Sequence, residues 1–481
     1  MGAVQVVDAE PTRTAASRWI AGWRLVFVIT VVAAITHLPG FVRTEVLNPD
    51  EAFLATQARV INDGGHLYHD AVDRKPPVVP YLYAATERVT GSDELVWVRV
   101  LAVAAHVATA LLLAAIARRR WGERAAFAAA LLYLVASVGL VVEDSQAANF
   151  EVFMLPLMCA SVLLADRGRN ATAGLAVAGA TLAKQVAATT MLPLVYLAWR
   201  RDRAPGVLRL GAAFALPIAI AAALFGWSDF FFWVFTGTGS YLDPSGSWSV
   251  AIGRGAWGSF MFLMANLGAL ILVIGAWRRR RADLDLWLWL AAAMIGAASG
   301  LRFFGHYFLQ LAPPFALLAA GMLATAKRTA WVRTAALGAG TIVISLTLAF
   351  TSHPPLLRSY QRVAAAVDAR TSADDHIFVW GQFPEVYWAS DRPPATRFLT
   401  SGFLTGFGGG RSASHVGRQY AVDEAWDDFM TDLSLHPPAL VVDASVGTSF
   451  SIDRFPEFAA FVADNYVRVD DIDDVVLYAH R

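Results

Sequence analysis

Long apolar runs, separated by short polar or basic segments, fill most of the chain up to residue 352. A membrane-spanning helix needs about 20 mostly apolar residues, and fewer where spans are paired. The stretch 171–199 is read as two short spans that meet at Lys184 and Gln185. On this basis we predict about eleven spans, at 22–41, 96–117, 124–142, 151–165, 171–184, 186–199, 207–226, 257–276, 284–301, 307–325 and 330–351.

The segment 42–95 is too long for a simple turn between two spans, and it is patterned. "DEAFLATQARVIND" has helical apolar spacing, "GG" interrupts it, and "KPPVVPYLYAATERV" begins a second amphipathic stretch. Helices of this kind lie in the plane of the membrane interface. We therefore predict a loop that carries two interfacial helices.

From residue 355 onward the pattern becomes that of a water-soluble domain. "DHIFVWG" and "PALVVDAS" are short β-type runs, and "YVRVDDIDDVVLYAH" indicates two strands around an acidic turn. "AVDEAWDDFMTDL" and "FPEFAAFVADN" have the spacing of amphipathic helices. Alternation of strand and helix predicts a small α/β domain over 353–481. "GFGGGRS" at 406–412 is interpreted as a loop, because no strand clearly precedes it and no helix follows.

Composition supports a membrane protein. Of the 481 residues, 56% are hydrophobic and 16% charged, which is outside the range of soluble globular chains. The formal net charge is zero, so the overall charge gives no reason to expect a nucleic-acid partner. The single cysteine, Cys159, excludes an intramolecular disulfide.

The basic clusters fix the orientation of the predicted spans, because Lys and Arg hold short loops in the cytoplasm. We place a cytoplasmic tail over 1–21 and a membrane domain over 22–352. Every basic cluster then lies on the cytoplasmic side of the membrane, whereas the loop 42–95 and the C-terminal domain lie on the outer side. We therefore predict a multi-pass protein of the cytoplasmic membrane. The clusters are Arg13/Arg18/Arg24, Arg118 to Arg120 with Arg124, Arg167/Arg169, Arg200/Arg201/Arg203, Arg278 to Arg281 and Lys327/Arg328/Arg333.

Two adjacent acid pairs fall at the outer ends of predicted spans: Asp50 with Glu51, and Glu143 with Asp144. The simplest interpretation of the first pair is a helix cap followed by a first-turn acid, which the helix dipole favours. Ionisable groups at membrane depth are costly, however, and two such pairs at one level indicate a shared site.

Cations fall on the same outer side, against the general trend. They are Arg74, Lys75, Lys184, Arg302 and His306. Each alone is explained by a side chain that reaches to the interface. Together they suit a lipid-linked phosphate, whose oxygens pair with cations through charge-assisted hydrogen bonds. A carboxylate beside such a pocket indicates group transfer, with the acid as general base and the cations stabilising the departing phosphate.

The order of four segments resembles bacterial membrane glycosyltransferases of the GT-C superfamily, in particular the dolichyl-phosphate-mannose protein mannosyltransferase-like group that includes aminoarabinose transferases. The segments are "NPDEAFLATQARVINDGGHLYHDAVDRKPPVVPYLYA", "SQAANFEVFMLPL", "LAKQVAATTMLPLVYL" and "RFFGHYFLQLAPPFALLAAG". The resemblance implies a GT-C fold and inverting transfer of a sugar from a polyprenyl-phosphate donor to a hydroxyl acceptor.

The resemblance also implies roles for residues. Asp50 is the expected base, with Glu51 beside it, and Asp144 or Glu143 orients the acceptor or assists a metal. Lys75 and Lys184 would hold the carrier phosphate, with Arg302 and His306 as phosphate or sugar contacts. Mannose, arabinose, aminoarabinose and galacturonic acid all remain open as the sugar, and the acceptor is a glycolipid, a polysaccharide or a protein.

No cofactor is required by this interpretation, although some GT-C enzymes use a divalent ion. His66 and His69 have metal-ligand chemistry, but "HLYHDAVD" fits a structural loop better. Two alternatives from other classes are a transporter or flippase for a polyprenyl-linked substrate, and a non-catalytic membrane subunit. The first lacks the expected internal repeat, and the second leaves Asp50, Lys184 and Arg302 without a role.

Overall fold

The computed structural model describes residues 15–43, 45–46, 48–139, 141–237, 248–351, 359–407 and 415–481. Most of the predicted tail over 1–21, the predicted domain boundary at 352–353 and the centre of the predicted loop 406–412 lie outside these residues. Helices dominate the chain up to residue 351. They are α1 (Ala15–Thr36), α2 (Pro39–Val42), α3 (Pro49–Asn62), α4 (Val78–Thr90), α5 (Leu95–Trp121), α6 (Glu123–Val138), α7 (Val142–Ser145), α8 (Phe150–Asp166), α9 (Asn170–Ala183), α10 (Met191–Leu224), α11 (Trp227–Phe231), α12 (Trp248–Ala265), α13 (Leu267–Ala276), α14 (Leu284–Ala298), α15 (Ala312–Leu323) and α16 (Arg328–Thr351).

Every predicted apolar run overlaps one or more of these helices, but the count of eleven spans is not confirmed. Among the described residues, four helical stretches are long and apolar enough to cross a membrane: Leu95–Trp121, Gln185–Leu224, Gly305–Leu323 and Arg328–Thr351. Trp248–Ala265 and Leu267–Arg279 form a fifth only if counted together, and they bend by 94° at the break. Other predicted spans are helices of 14 to 17 residues, such as α8, α9 and α14, which are short for a bilayer.

The predicted break between 171–184 and 186–199 is confirmed. Helix α9 ends at Ala183, Lys184 has an extended backbone (φ −154°, ψ 126°), and a 3-10 turn over Gln185–Thr190 leads into α10. Helix α10 is itself interrupted at Arg203, whose φ of 54° is not helical. The two breaks let α9 pack closely against α10, where an added Cβ at Gly174 would collide with the backbone of α10.

The predicted helices of the loop 42–95 are α3 and α4. The glycine pair ends the first of them, since Gly64 has a φ of 99° and a Cβ on Gly65 would meet the Val60 carbonyl at 2.9 Å. The predicted cap was wrong in one respect. The cap of α3 is Asn48, whose side chain accepts a hydrogen bond from the Asp50 amide at 2.9 Å, so Asp50 and Glu51 are first-turn acids only.

The C-terminal region contains the predicted strands β1 (Ile377–Trp380), β2 (Leu440–Asp443), β3 (Tyr466–Ile472) and β4 (Val475–His480), in the order β1-β2-β4-β3. β1 and β2 are parallel, whereas β4 is antiparallel to both β2 and β3. Asp473 and Asp474, both with positive φ, make the two-residue turn between β3 and β4. The accompanying helices are α17 (Tyr360–Asp368), α18 (Glu385–Ser390), α19 (Gly402–Thr405), α20 (Ala425–Leu435) and α21 (Pro456–Asn465).

Aromatic packing forms the core of this region. Phe378 of β1 contacts Phe429 of α20 and Phe458 of α21, with ring centroids 5.1 and 5.6 Å apart. Both β1 and β2 are buried along their whole length, which explains their continuous apolar sequence.

The C-terminal region is joined to the membrane region through α3. Helix α18 packs on α3, and Arg59 of α3 donates to the Tyr387 carbonyl at 3.1 Å while it pairs with Asp93 and Asp391 at 2.7 and 3.0 Å. The Trp388 indole adds a hydrogen bond to the Asp93 carbonyl at 3.2 Å. The helix that carries the first acid pair is therefore held between the two regions.

Candidate active site

A cavity of about 370 Å³ lies between the membrane region and the C-terminal region. Gln382, Thr400 and Phe403 of the C-terminal region form one side of it. The other side holds three carboxylates and three cations, so that opposite charges balance. These six residues are Asp50, Asp73, Glu151, Arg74, Lys75 and Lys184.

Asp50 and Lys75 lie next to each other in this wall, with Oδ2 and Nζ 3.6 Å apart. Burial raises the pKa of Asp50, but the charges of Lys75, His306 and Lys184 outweigh it and hold that pKa below its ordinary value. The Asp50 side chain is therefore an ionised carboxylate at neutral pH. Lys75 also lies over the ring of Phe150, 4.2 Å from its centroid.

The backbone of 72–75 is held from three sides, which positions Arg74 and Lys75. The Val72 amide donates to the Arg397 carbonyl at 3.1 Å, Gln185 donates to the Arg74 carbonyl at 2.9 Å, and the Tyr68 hydroxyl donates to the Lys75 carbonyl at 2.8 Å. The Arg74 guanidinium stacks 4.2 Å from the ring centroid of Phe403. Both predicted cations of this segment thus point into the cavity from a fixed loop.

Lys184 reaches the same cavity from the break between α9 and α10. It is buried, pairs with Glu151 and lies 4.4 Å from the ring centroid of Tyr307. Glu151 is 1% exposed and was not predicted as a site residue. The signal was present in the sequence, because a glutamate inside the apolar run "NFEVFMLPL" is costly unless it is paired.

His306 lies between the carboxylates. Its Nδ1 bonds to Asp144, and its Nε2 lies 4.0 Å from both Asp50 Oδ2 and Glu151 Oε1. Asp144 also accepts a hydrogen bond from Asn48 at 3.1 Å. Because the Asp144 carboxylate accepts from Nδ1, it turns Nε2 toward Asp50. Asp144 therefore acts on the cavity through His306.

Glu51 points away from Asp50, although the two are adjacent in the chain. Its carboxylate receives two hydrogen bonds from Arg99, at 2.9 and 2.7 Å, and one from the Ala148 amide at 2.9 Å. Arg99 also donates to the carbonyls of Gly40, Arg43 and Glu45. This mostly buried network joins the start of α3 to α5 and to the loop before α8, which is a structural arrangement.

The remaining predicted residues lie outside the cavity wall. Glu143 is half-buried and Arg302 is buried, and neither lines the cavity. Leu301 and Phe303, on either side of Arg302, have φ of 51° and 49°, a strained conformation for such side chains. His66 and His69 have 83% and 73% exposed side chains beside Asp70. The described part of the chain holds no group of three or more His, Cys, Asp or Glu side chains arranged for a metal ion.

Glu385 of α18 is a buried carboxyl close enough to Asp50 to feel its charge. Burial raises the pKa of Glu385 to about 8, and the charge of Asp50 adds to the rise. Its Oε2 has no hydrogen-bond partner among the described residues. At neutral pH this carboxyl is mostly protonated.

Comparisons with known proteins bear on the fold in which this cavity lies. Residues 74–227 match the dolichyl-phosphate-mannose-protein mannosyltransferase family, a segment that includes Lys75, Asp144 and Lys184. The fold is similar to that of ArnT from Cupriavidus metallidurans bound to undecaprenyl phosphate, with a TM-score of 0.62 and 15% identity over 95% of this chain and 98% of that one. The chain has the GT-C fold.

A second structure with the GT-C fold is similar over most of the chain. It is the archaeal oligosaccharyltransferase AglB from Archaeoglobus fulgidus in complex with an inhibitory peptide and a dolichol-phosphate, with a TM-score of 0.52 and 11% identity over 89% of this chain and 70% of that one. No curated protein sequence matches the chain significantly. The resemblance to GT-C enzymes of the mannosyltransferase and ArnT type is thus confirmed, and the helices agree with a multi-pass membrane protein.

Proposed function

We propose that the chain is an inverting glycosyltransferase that moves a sugar from a polyprenyl-phosphate donor to a hydroxyl acceptor. The observation that carries this proposal is the cavity in which the Asp50 carboxylate lies 3.6 Å from Lys75, with Lys184 in the same wall. The undecaprenyl phosphate in ArnT and the dolichol-phosphate in AglB support a lipid-linked phosphate as the ligand.

In the reaction the carboxylate of Asp50 acts on the acceptor, and the cations act on the departing phosphate. Asp50 removes the proton of the acceptor hydroxyl as its oxygen attacks C1 of the sugar. The bond between C1 and the phosphate oxygen breaks on the opposite side, which inverts C1. Lys75, Lys184 and Arg74 stabilise the negative charge that the polyprenyl phosphate gains. His306, held by Asp144, faces Asp50 and stabilises its ionised form.

The phosphate enters a site where both lysines already have carboxylate partners. The negative oxygens of the phosphate therefore compete with Asp50 and Glu151 for interaction with Lys75 and Lys184. When Lys75 turns toward the phosphate, its influence on Asp50 weakens and the basicity of Asp50 rises. Donor binding thus prepares the base for the acceptor.

The proposed location follows from the charge pattern of the sequence. The N-terminus lies in the cytoplasm, the cavity opens at the outer face of the cytoplasmic membrane, and residues 353–481 lie outside the cell. This orientation corresponds to eleven spans, several of which are short paired helices.

The test is a comparison of two matched variants, Asp50→Asn and Asp63→Asn, at opposite ends of the α3 segment. Each is expressed in the source organism after deletion of the gene, and envelope glycans and glycolipids are compared by mass spectrometry. Wild type and Asp63→Asn are expected to restore the missing sugar. Asp50→Asn is expected to lower transfer about 10²- to 10⁴-fold, while it still inserts and binds polyprenyl phosphate.

Restoration by Asp50→Asn at the wild-type level would remove Asp50 as the base. Movement of the donor lipid across vesicles that contain purified protein, with no glycosylated product, would favour the flippase.

A further inference from the structure

Gly305 begins the 3-10 turn that carries His306, and the turn runs over Gly305–Leu311. Gly305 is not one of the glycines with a positive φ, so its backbone conformation is open to residues with a side chain. A glycine at such a position loses more conformational entropy on folding than alanine would. The reason for a glycine here must therefore lie in what surrounds its Cα.

The Asp144 carboxylate occupies the place where a side chain at position 305 would begin. A Cβ built on Gly305 would collide with Asp144 Oδ2, and it would lie 2.8 Å from Val141 Cγ2. The Val141 side chain can turn aside, because the residue is 45% exposed. Asp144 cannot, because its Oδ1 accepts from Asn48 at 3.1 Å and bonds to Nδ1 of His306. A side chain at 305 would therefore push the carboxylate out of these two bonds.

His306 depends on this carboxylate for its orientation and its charge. Its Nε2 lies 4.0 Å from both Asp50 Oδ2 and Glu151 Oε1. With Asp144 at Nδ1, both ring nitrogens face carboxylates, and an imidazole donates from both nitrogens only when it is protonated. Displacement of Asp144 would therefore weaken both the orientation and the positive charge of the ring beside Asp50.

We propose that Gly305 is a positioning residue of the glycosyltransferase: by leaving room for Asp144, it keeps the His306 ring directed at the base Asp50. This inference rests on the proposed function, because it takes Asp50 as the base. Gly305 does not line the cavity, so it acts only through these two side chains. Its replacement is expected to change the pH dependence of sugar transfer.

The sign of this change follows from the charges around Asp50. Burial raises the pKa of Asp50, and the nearby cations hold it below its ordinary value. A weakened His306 therefore raises that pKa. Because the base must be ionised, the acidic limb of the pH–rate profile then moves to higher pH. The charged or titratable groups that interact with Asp50 are Lys75, Lys184, His306, Asp73 and Glu385.

The test measures sugar transfer against pH in membranes of the strain that lacks the gene. These membranes supply both the donor lipid and the unmodified acceptor, and the purified full chain is added to them. Mass spectrometry follows the initial rate at which the missing sugar appears, from about pH 4 to about pH 8. Gly305→Ala is expected to move the acidic limb about one pH unit higher than in wild type.

A double-mutant cycle identifies the cause of this shift. Asp144→Ala removes the carboxylate that occupies the space, so it is expected to shift the limb in the same direction. The double variant Gly305→Ala with Asp144→Ala is expected to shift it no further than Asp144→Ala alone, because both changes act through one bond to His306.

Gly321→Ala is the matched control. Gly321 lies in the same helical stretch, Gly305–Leu323, and a Cβ on it would meet the Trp121 ring at 2.9 Å. Gly321 does not line the cavity. Gly321→Ala is therefore expected to lower the unfolding temperature and to leave the pH profile of transfer unchanged. An equal shift of the acidic limb in this control would overturn the inference, because any local clash would then produce it.

The outcomes separate this inference from the proposed function. If wild type transfers no sugar in these membranes, both are overturned. If wild type is active but Gly305→Ala keeps its pH profile, or if the double variant shifts further than Asp144→Ala, the role of Gly305 alone is overturned. If Gly305→Ala does not fold, the double variant decides. It folds if Asp144 is the obstacle, and its failure to fold would overturn the inference.

Discussion

The bidentate pair of Glu51 and Arg99 tests whether Glu51 has a structural role that its neighbour Asp50 does not share. Glu51 is fully buried and Arg99 is 2% exposed, and the two hydrogen bonds between them are 2.9 and 2.7 Å long. The proposed perturbation is Glu51→Met, which has similar volume and no charge. It leaves Arg99 buried with three carbonyl partners and only the more distant charge of Glu45.

The expected cost follows from this burial. Removal of one partner of a buried ion pair destabilises a protein by about 3–5 kcal/mol, because the other charge stays without compensation. The Ala148 amide also loses its acceptor. The double variant Glu51→Met with Arg99→Met is expected to lose less than the sum of the single variants, since it removes the orphaned charge.

The assay is thermal unfolding of the purified protein in detergent, followed by loss of the monodisperse peak in size-exclusion chromatography. Glu51→Met is expected to unfold several degrees below wild type, whereas the exposed control Glu94→Ala unfolds with wild type. A Glu51→Met protein with wild-type stability but without sugar transfer would refute the structural role and return Glu51 to the catalytic group.

Two further predictions concern the contact between the regions. In the unfolded chain Glu385 ionises near pH 4.5, but the folded protein keeps it protonated up to about pH 8, so its presence makes stability fall as pH rises between these values. Glu385→Gln is expected to remove this loss of stability with rising pH and to stabilise the protein at pH 7 on the order of 3 kcal/mol. The measurement is the unfolding temperature of variant and wild type as a function of pH, and parallel profiles would contradict the prediction. Arg59→Met removes the contacts to Asp93, Tyr387, Trp388 and Asp391 and is expected to increase hydrogen exchange in α18, measured by mass spectrometry against the exposed control Arg88→Met. Equal exchange in both variants would show that Arg59 does not hold the regions together.

The sequence predicts the helices well because apolar periodicity is a local property. The runs, the break at Lys184 and the four C-terminal strands all follow from it. It does not predict which helices are long enough to cross a bilayer alone. The 94° break at Asn266, for example, lies inside one predicted span, where a single polar residue is the only mark of it in the sequence.

The site could be predicted only for residues whose charge is unusual at their position. Asp50, Lys75, Lys184 and His306 do meet in and around one cavity. Gln382 and Thr400 also line the cavity but carry no charge, so nothing in the pattern marks them. Glu51 was expected in the site because it follows Asp50 in the sequence. Neighbouring residues on a helix point about 100° apart, so adjacency in the sequence does not imply a shared role.

The stacking of Arg74 on Phe403 has a consequence for how such proteins can be recombined. The cavity wall is divided between two parts of the chain, and a cation of the membrane region is held by an aromatic ring of the C-terminal region. A chimera that joined this membrane region to the C-terminal domain of a relative would keep the three cations of the cavity wall, Arg74, Lys75 and Lys184. It would replace Gln382, Thr400 and Phe403, so the chimera would keep this wall only if the relative supplied an aromatic ring for Arg74 at the place of Phe403.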